Sequence, residues 1–253
     1  MPRHARERSE TGIYHVILRG INKQTIFKDE VDKERLFETL KRFKMVSLYE
    51  LYGYCFMNNH IHILIKETTE PISLVVKRII SSYVYWYNWK YERCGHLFQE
   101  RFKSEAVEND RYFLTVLRYI HQNPVRAGIA KKVYDFRWSS FQEYMKKQVI
   151  TNIDFALDMF SADRQKAIIL FEAFMNEQSN YLCLDYDDKT RVPDSEIKAI
   201  LLKKGVSDIN ELPRLEKRKR DEIINALKSI EGVTIRQLSR LTGITKSVIG
   251  RIQ

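Results

Sequence analysis

The residues best suited to chemistry are a histidine pair and a tyrosine. His60 and His62 stand two apart in NNHIHILIKE, and on an extended strand such residues project to the same side. Their imidazoles share one face, while Ile61, Ile63 and Ile65 take the other. The isoleucine face must go to a core, so the histidine face meets helices or solvent. Two adjacent imidazoles can hold one divalent cation. HxH is also a common pattern, and two half-exposed histidines on a polar strand face is the plain alternative.

The phenol lies in LTVLRYIHQNPVRAG. At about 100° per residue, Phe113, Leu114, Leu117 and Ile120 form one apolar stripe, and Tyr119 falls off it. Asn123 is four residues further on, on the Tyr119 side, and its amide oxygen is a candidate third metal ligand. Pro124 disfavours helical geometry at the residue before it, which predicts an irregular last turn and leaves His121 and Gln122 as competing ligands.

The elements that must position these groups can be read from periodicity. IYHVILR (13–19) alternates as a strand, and DKERLFETLKRFKMV has apolar residues at helical intervals. LYELYGYCFM and HIHILIKE read as strands joined by the turn signal NNH, hence as a hairpin. A helix is expected from Ile72 to Trp89, then a strand through FQERFKSEAV, then a helix from Asp110 to Gln122. The order β-α-β-β-α-β-α describes an α+β fold, an antiparallel sheet of the ferredoxin-like kind with helices on one face.

The 253 residues suffice for a full domain and a smaller one. A net charge of +10 favours a polyanionic partner. That charge is uneven: about +7 over residues 1–145, about −4 over 146–188 and about +7 over 189–253. These bounds predict a basic first domain at 1–145 that holds the histidine pair and Tyr119, a connector of one or two helices at 146–188 and a basic helical domain at 189–253. Three widely spaced cysteines, Cys55, Cys94 and Cys183, offer no CxxC metal or redox pair and fit a reducing cytoplasm. No export signal is evident, and no apolar run approaches the roughly 18 residues that mark a membrane span.

HIH within NNHIHILIKE, FQERFKS and RYIHQNPVRAG, in this order, together with RGINKQTIF, resemble the single-tyrosine HUH transposases, specifically the REP-associated tyrosine transposases and their insertion-sequence-200-like relatives, over residues 8–142. The resemblance implies an RRM-like fold, His60 and His62 as metal ligands, Tyr119 as nucleophile and Asn123 as additional ligand. It also implies single-stranded or hairpin DNA as partner. The chain departs from relatives at Asn58, where proline is common, and at Ile21, where a second asparagine is usual.

A phenol with a pKa near 10 is a poor nucleophile at neutral pH, and a divalent ion on the scissile phosphate lowers the barrier. Attack by tyrosine leaves a 5'-phosphotyrosine and a free 3'-hydroxyl, so strand transfer rather than hydrolysis is expected, with Mg(II) or Mn(II) as cofactor. A second reading is a domesticated hairpin-binding or transcription-regulating protein without transposition. A replication or conjugative nickase fits less well, since there is no P-loop and no matching second tyrosine motif around Tyr112.

Basic residues near these motifs are candidate DNA contacts. Arg101 and Lys103 could hold phosphates or form a solvated face, and Arg19 and Lys23 flank the turn at Gly20. Arg126 follows Pro124 and could bind phosphate or complement the helix end. Tyr83, Tyr85, Trp86, Tyr87, Trp89 and Tyr91 could stack bases, with core packing the expected role for most.

From Asp194 three or four short helices are expected, and TIRQLSRLTGITKSVIGRI reads as a helix-turn-helix. Thr234 with Gln237 suggests a capping box, Gly243 a turn and Thr245 a second cap. Arg236, Arg240, Lys246 and Arg251 would then face duplex DNA, aided by the KRKR run at 217–220. The alternative is a packing or dimerisation module. A monomer and a homodimer are both compatible with these features.

Overall fold

The computed structural model describes residues 7–99, 101–177, 183–185, 192–206, 208–230 and 232–252. They divide into two units, Met1–Asp185 and Tyr186–Gln253.

In the first unit, strand β1 (Ile13–Arg19) leads through a 3-10 turn into helix α1 (Glu30–Ser47). Strands β2 (Glu50–Phe56) and β3 (His60–Lys66) follow, then α2 (Ile72–Lys90), β4 (Lys103–Ala106) and α3 (Asp110–Arg126). Three shorter helices complete the unit: α4 (Phe141–Met145), α5 (Asp154–Leu157) and α6 (Arg164–Asn176). The strands form one antiparallel sheet in the order β2-β3-β1-β4.

The two central strands are apolar at both parities and buried along nearly all their length, the mark of a sheet covered on both sides. On one face Val16, Leu18, Ile61, Ile63 and Ile65 pack with Leu36 and Leu40 of α1 and with Val75, Val76 and Ile79 of α2. On the other, Leu64, Tyr52 and Cys55 meet Phe113, Val116, Leu117 and Ile120 of α3, with Phe141, Tyr144 and Phe171 behind them. Helices therefore cover both faces, not one as the strand-helix order suggested. The reason is the second set of apolar strand residues, which needs a cover of its own.

Two further expectations change. α3 does not break before Pro124 but continues to Arg126, and Ala127 N–H reaches Asn123 O at 2.9 Å beyond it. β4 is shorter than the expected strand: Phe98 makes an isolated bridge to Gly20, and regular pairing resumes only where Lys103 lies opposite Ile17. Most of the aromatic residues expected in the core are there, with Tyr83 and Tyr87 buried and Trp86 and Tyr91 packed against them, while Tyr85 (79% exposed) and Trp89 (74%) face outward.

The second unit contains α7 (Asp194–Lys203), α8 (Lys217–Lys228), α9 (Ile235–Thr242) and α10 (Lys246–Arg251). Ile197, Leu201, Leu212, Ile224, Leu227, Leu238 and Ile249 make its core. Thr234 caps α9 by accepting Gln237 N–H at 3.1 Å. The capping box is only half formed, because the Gln237 amide turns away to Val192 O and Asp194 Oδ1. Gly243 supplies the left-handed turn (φ 73°) between α9 and α10, whereas Thr245 forms no side-chain cap bond.

Gly53 lets α3 approach the sheet: a Cβ there would lie 2.7 Å from Leu117 Cδ1. Gly53→Val should therefore push α3 outward and destabilise the unit by about 1–3 kcal/mol. The lowered denaturant midpoint, at unchanged m-value, measures it.

Candidate active site

The β1–β3 register assembles the site. Arg19 lies opposite His60, Ile17 opposite His62 and His15 opposite Leu64. On the far side of β1, His15 lies opposite Glu105 and Ile17 opposite Lys103. Cross-strand partners share a face, so His60, His62, His15, Arg19, Lys103 and Glu105 all occur on the side that α3 covers.

His62 and His15 are fully buried. His15 Nε2 lies 3.0 Å from His62 Nδ1, and the rings stack with centroids 5.3 Å apart. His60 is half-buried at the strand end; its Nδ1 is 2.7 Å from Asn59 Oδ1, and its ring stands edge-on to His62 at 4.9 Å. Burial, followed by the neighbouring His15 and His60, holds His62 well below the ordinary histidine range. Burial also lowers His15, against the opposing pull of Glu105 and Asp185. Both rings are thus neutral at neutral pH, the form that ligates metals.

Tyr119 comes down on this pair from α3, its ring centroid 5.7 Å from His62 and 6.0 Å from His15. It is off the apolar stripe but not solvent-facing: only 6% is exposed, and its hydroxyl donates to Asp185 Oδ2. Burial raises the phenol pKa, the Asp185 hydrogen bond and charge raise it further, and Asn123 and Arg126 act in the opposite sense. The Arg126 guanidinium lies over the Tyr119 ring at 4.9 Å.

Asn123 shares the Tyr119 side of α3 and ties its amide nitrogen to Tyr119 O at 3.2 Å, which leaves the amide oxygen on offer. The competing candidates are engaged elsewhere. His121 Nε2 is 2.8 Å from Ser140 Oγ, and burial takes its pKa down to about 3. Gln122 donates to Met175 O and Glu177 O.

The fit to a cation rests on one buried atom. His62 Nε2 is out of solvent and has no hydrogen-bond partner, and the His62 ring has His60 at 4.9 Å and Tyr119 at 5.7 Å between centroids. Among the described residues no three His, Cys, Asp or Glu side chains are grouped to hold a metal, so the donor set on offer is two imidazoles and an amide.

The basic candidates divide between the units. Arg19 is nearly buried beside His60, Lys103 Nζ donates to Asp185 O at 3.3 Å, and Arg126 stands over Tyr119. Lys23 and Arg101 are exposed. Arg236, Arg240, Lys246 and Arg251 are exposed in the second unit, where Arg240 is paired with Asp194 at 2.7 Å.

His15, Glu105 and Asp185 were not singled out from the sequence. A histidine inside an apolar strand was a visible signal for the first. Asp185 has none, since only folding brings residue 185 to residue 119. Because its carboxylate holds the phenol proton, Asp185→Asn should lower the Tyr119 pKa toward the ordinary value near 10, as followed by the pH titration of its 13C-labelled ring carbon.

Residues 9–123, which span the whole arrangement from β1 to Asn123, match the family model "Transposase IS200 like". Among solved structures, a REP-associated tyrosine transposase bound to a REP hairpin is similar with a TM-score of 0.51 and 19% identity, over 65% of this chain and 93% of that one. That likeness speaks to the fold. A candidate transposase from Deinococcus radiodurans R1 also aligns, at 18% identity over 48% of this chain and 97% of its own, but with a TM-score of 0.34 it adds nothing on the fold. No curated protein matches the chain. Residues 9–123, a little under half of the chain, are accordingly similar to the IS200-like transposases.

Proposed function

We propose that this protein is a metal-dependent endonuclease and strand transferase that nicks and rejoins single-stranded, hairpin-containing DNA through a 5'-phosphotyrosine on Tyr119. The observation that carries this reading is the seating of the Tyr119 phenol against His62, whose Nε2 is buried without a hydrogen-bond partner. Leaving such an atom unpaired costs about 1–3 kcal/mol, which a ligand role accounts for. A DNA hairpin is the partner of the REP-associated relative, and we extend it to this chain.

In this reading His60, His62 and Asn123 hold a Mg(II) or Mn(II) ion. When bound, the ion polarises the scissile phosphate and offsets its developing charge. Lys103, Arg19 and Arg126 hold the strand, with Lys23 and Arg101 at the margin. Tyr119 attacks phosphorus and its proton passes to Asp185, which already accepts the hydroxyl's hydrogen bond, while the bond from phosphorus to the 3'-oxygen breaks and that oxygen takes a proton from water to leave as a 3'-hydroxyl. The phosphotyrosine keeps one phosphodiester equivalent, so a 3'-hydroxyl can reverse the step without ATP.

The catalytic domain expected at residues 1–145 has its β-α-β-β-α-β core in the ferredoxin-like, RRM-like class; of the expected connector 146–188, α5 and α6 pack into the same unit as that core, and the chain then leads on to 189–253. The last segment binds duplex DNA as a helix-turn-helix through α9 and α10, with Arg236, Lys246 and Arg251 exposed and Arg240 shared with Asp194. A second reading, a hairpin-binding or regulatory protein without transposition, draws on the Asp185 bond that keeps the phenol protonated.

Two experiments decide. With Mn(II) and labelled hairpin-bearing single strands, the protein should give a DNA adduct on a denaturing gel that Tyr119→Phe abolishes while binding persists; adducts in the mutant would remove Tyr119 as nucleophile, and binding without adducts in the parent favours the regulatory reading. The double variant His60→Ala with His62→Ala should lose Mn(II) binding in calorimetry, and retained stoichiometric binding would place the ion elsewhere.

A further inference from the structure

We propose that Glu105 and His15 are positioning residues that set the tautomer of His62, so that His62 Nε2 presents a lone pair to the cation site beside Tyr119. The proposal deepens the metal-site reading above and rests on it for its consequence, though not for its geometry.

His15 Nε2 and His62 Nδ1 are 3.0 Å apart in a fully buried pair, so a single proton lies between them. Two arrangements are open. In one, His62 donates from Nδ1, its Nε2 is a bare acceptor, and the His15 proton sits on Nδ1. In the other, His15 donates from Nε2, its own Nδ1 is bare, and His62 carries its proton on Nε2.

The surroundings separate these two. His15 Nδ1 faces Glu105 Oε2 at 3.9 Å, and that oxygen is fixed by accepting Leu184 N–H at 3.1 Å. A proton on His15 Nδ1 is attracted to the carboxylate, whereas a lone pair there is repelled by it. At the other end His62 Nε2 is buried with no partner; a proton on it would be an unsatisfied buried donor, while a lone pair is what a cation needs. His15 Nδ1 is likewise out of solvent without a hydrogen-bond partner, so either arrangement leaves one buried N–H short of a bond, and the Glu105 charge, which faces His15 Nδ1, selects the first. The polarity therefore runs from Glu105 on β4, through His15 on β1, to His62 on β3, across three adjacent strands whose register places the groups side by side. Carboxylate-to-imidazole support of this kind is how ligating histidines are commonly oriented.

The test uses the full-length protein with 15N-labelled histidine and no added metal. Two-bond proton–nitrogen spectra should show His62 protonated at Nδ1 and bare at Nε2. Glu105→Leu, at a half-exposed position, and His15→Leu should shift His62 toward the Nε2-protonated form, while His15→Gln, whose side-chain oxygen can accept from His62 Nδ1, should restore the parent pattern. Mn(II) affinity, measured by calorimetry, should fall about 10- to 100-fold in Glu105→Leu and His15→Leu and recover in His15→Gln. A parent His62 protonated at Nε2, or a tautomer indifferent to both leucine variants, overturns the proposal. If the parent binds no Mn(II) yet shows the predicted tautomer and its dependence on Glu105, the relay stands and the metal reading fails.

Discussion

Because β1 pairs antiparallel with β3 in the register that sets Ile17 opposite His62, His15 and His62 are brought into contact beneath α3. A shift of one residue would turn every side chain of one strand to the opposite face, exchanging His60 and His62 for Ile61 and Ile63 and placing imidazoles in the isoleucine core. The apolar packing of Ile61, Ile63 and Ile65 against α1 and α2 therefore holds the chemical site in register from the other side of the sheet.

Burial has an electrostatic consequence. A protonated imidazole is costly without water, so His15 and His62 stay neutral, and the same burial raises the Tyr119 phenol. The histidines thereby keep lone pairs to offer while the Tyr119 phenol is held protonated. Arg126 and Asn123 favour the phenolate but are outweighed by burial and Asp185. A cation or a phosphate entering here would act on a balance already contested by named groups.

Much of the frame was legible because its signals are local. Two-residue alternation marked β1 and β3, helical spacing marked α1, α2 and α3, and HxH needed only the strand parity to place both rings on one side. Leu64, Tyr52 and Cys55 show why the second helical layer was missed: apolar residues at both parities mean two covered faces, and the polar histidines drew attention away from them. Pro124 predicted an irregular last turn because its effect on the preceding residue is a real cost, yet α3 runs past it to Arg126. His15, Glu105 and Asp185 depend on contacts across 47, 90 and 66 residues of chain respectively, and no local pattern encodes those.

α3 explains why one helix can present several groups at once. Tyr119, Asn123 and Arg126 stand at i, i+4 and i+7, close to whole turns, so they line one side of the helix. The opposite side is fixed by polar bonds as well as by apolar packing: His121 to Ser140, and Gln122 to Met175 O and Glu177 O. Apolar contacts alone tolerate small rotations, whereas buried hydrogen bonds lose most of their value when misaligned. A rotation by one residue, about 100°, would replace the Tyr119 phenol with Arg118 or Ile120. The residues first considered as rival ligands thus have a different role: by engaging the rest of the domain, His121 and Gln122 fix the rotation of α3 that keeps Tyr119 on the imidazole pair.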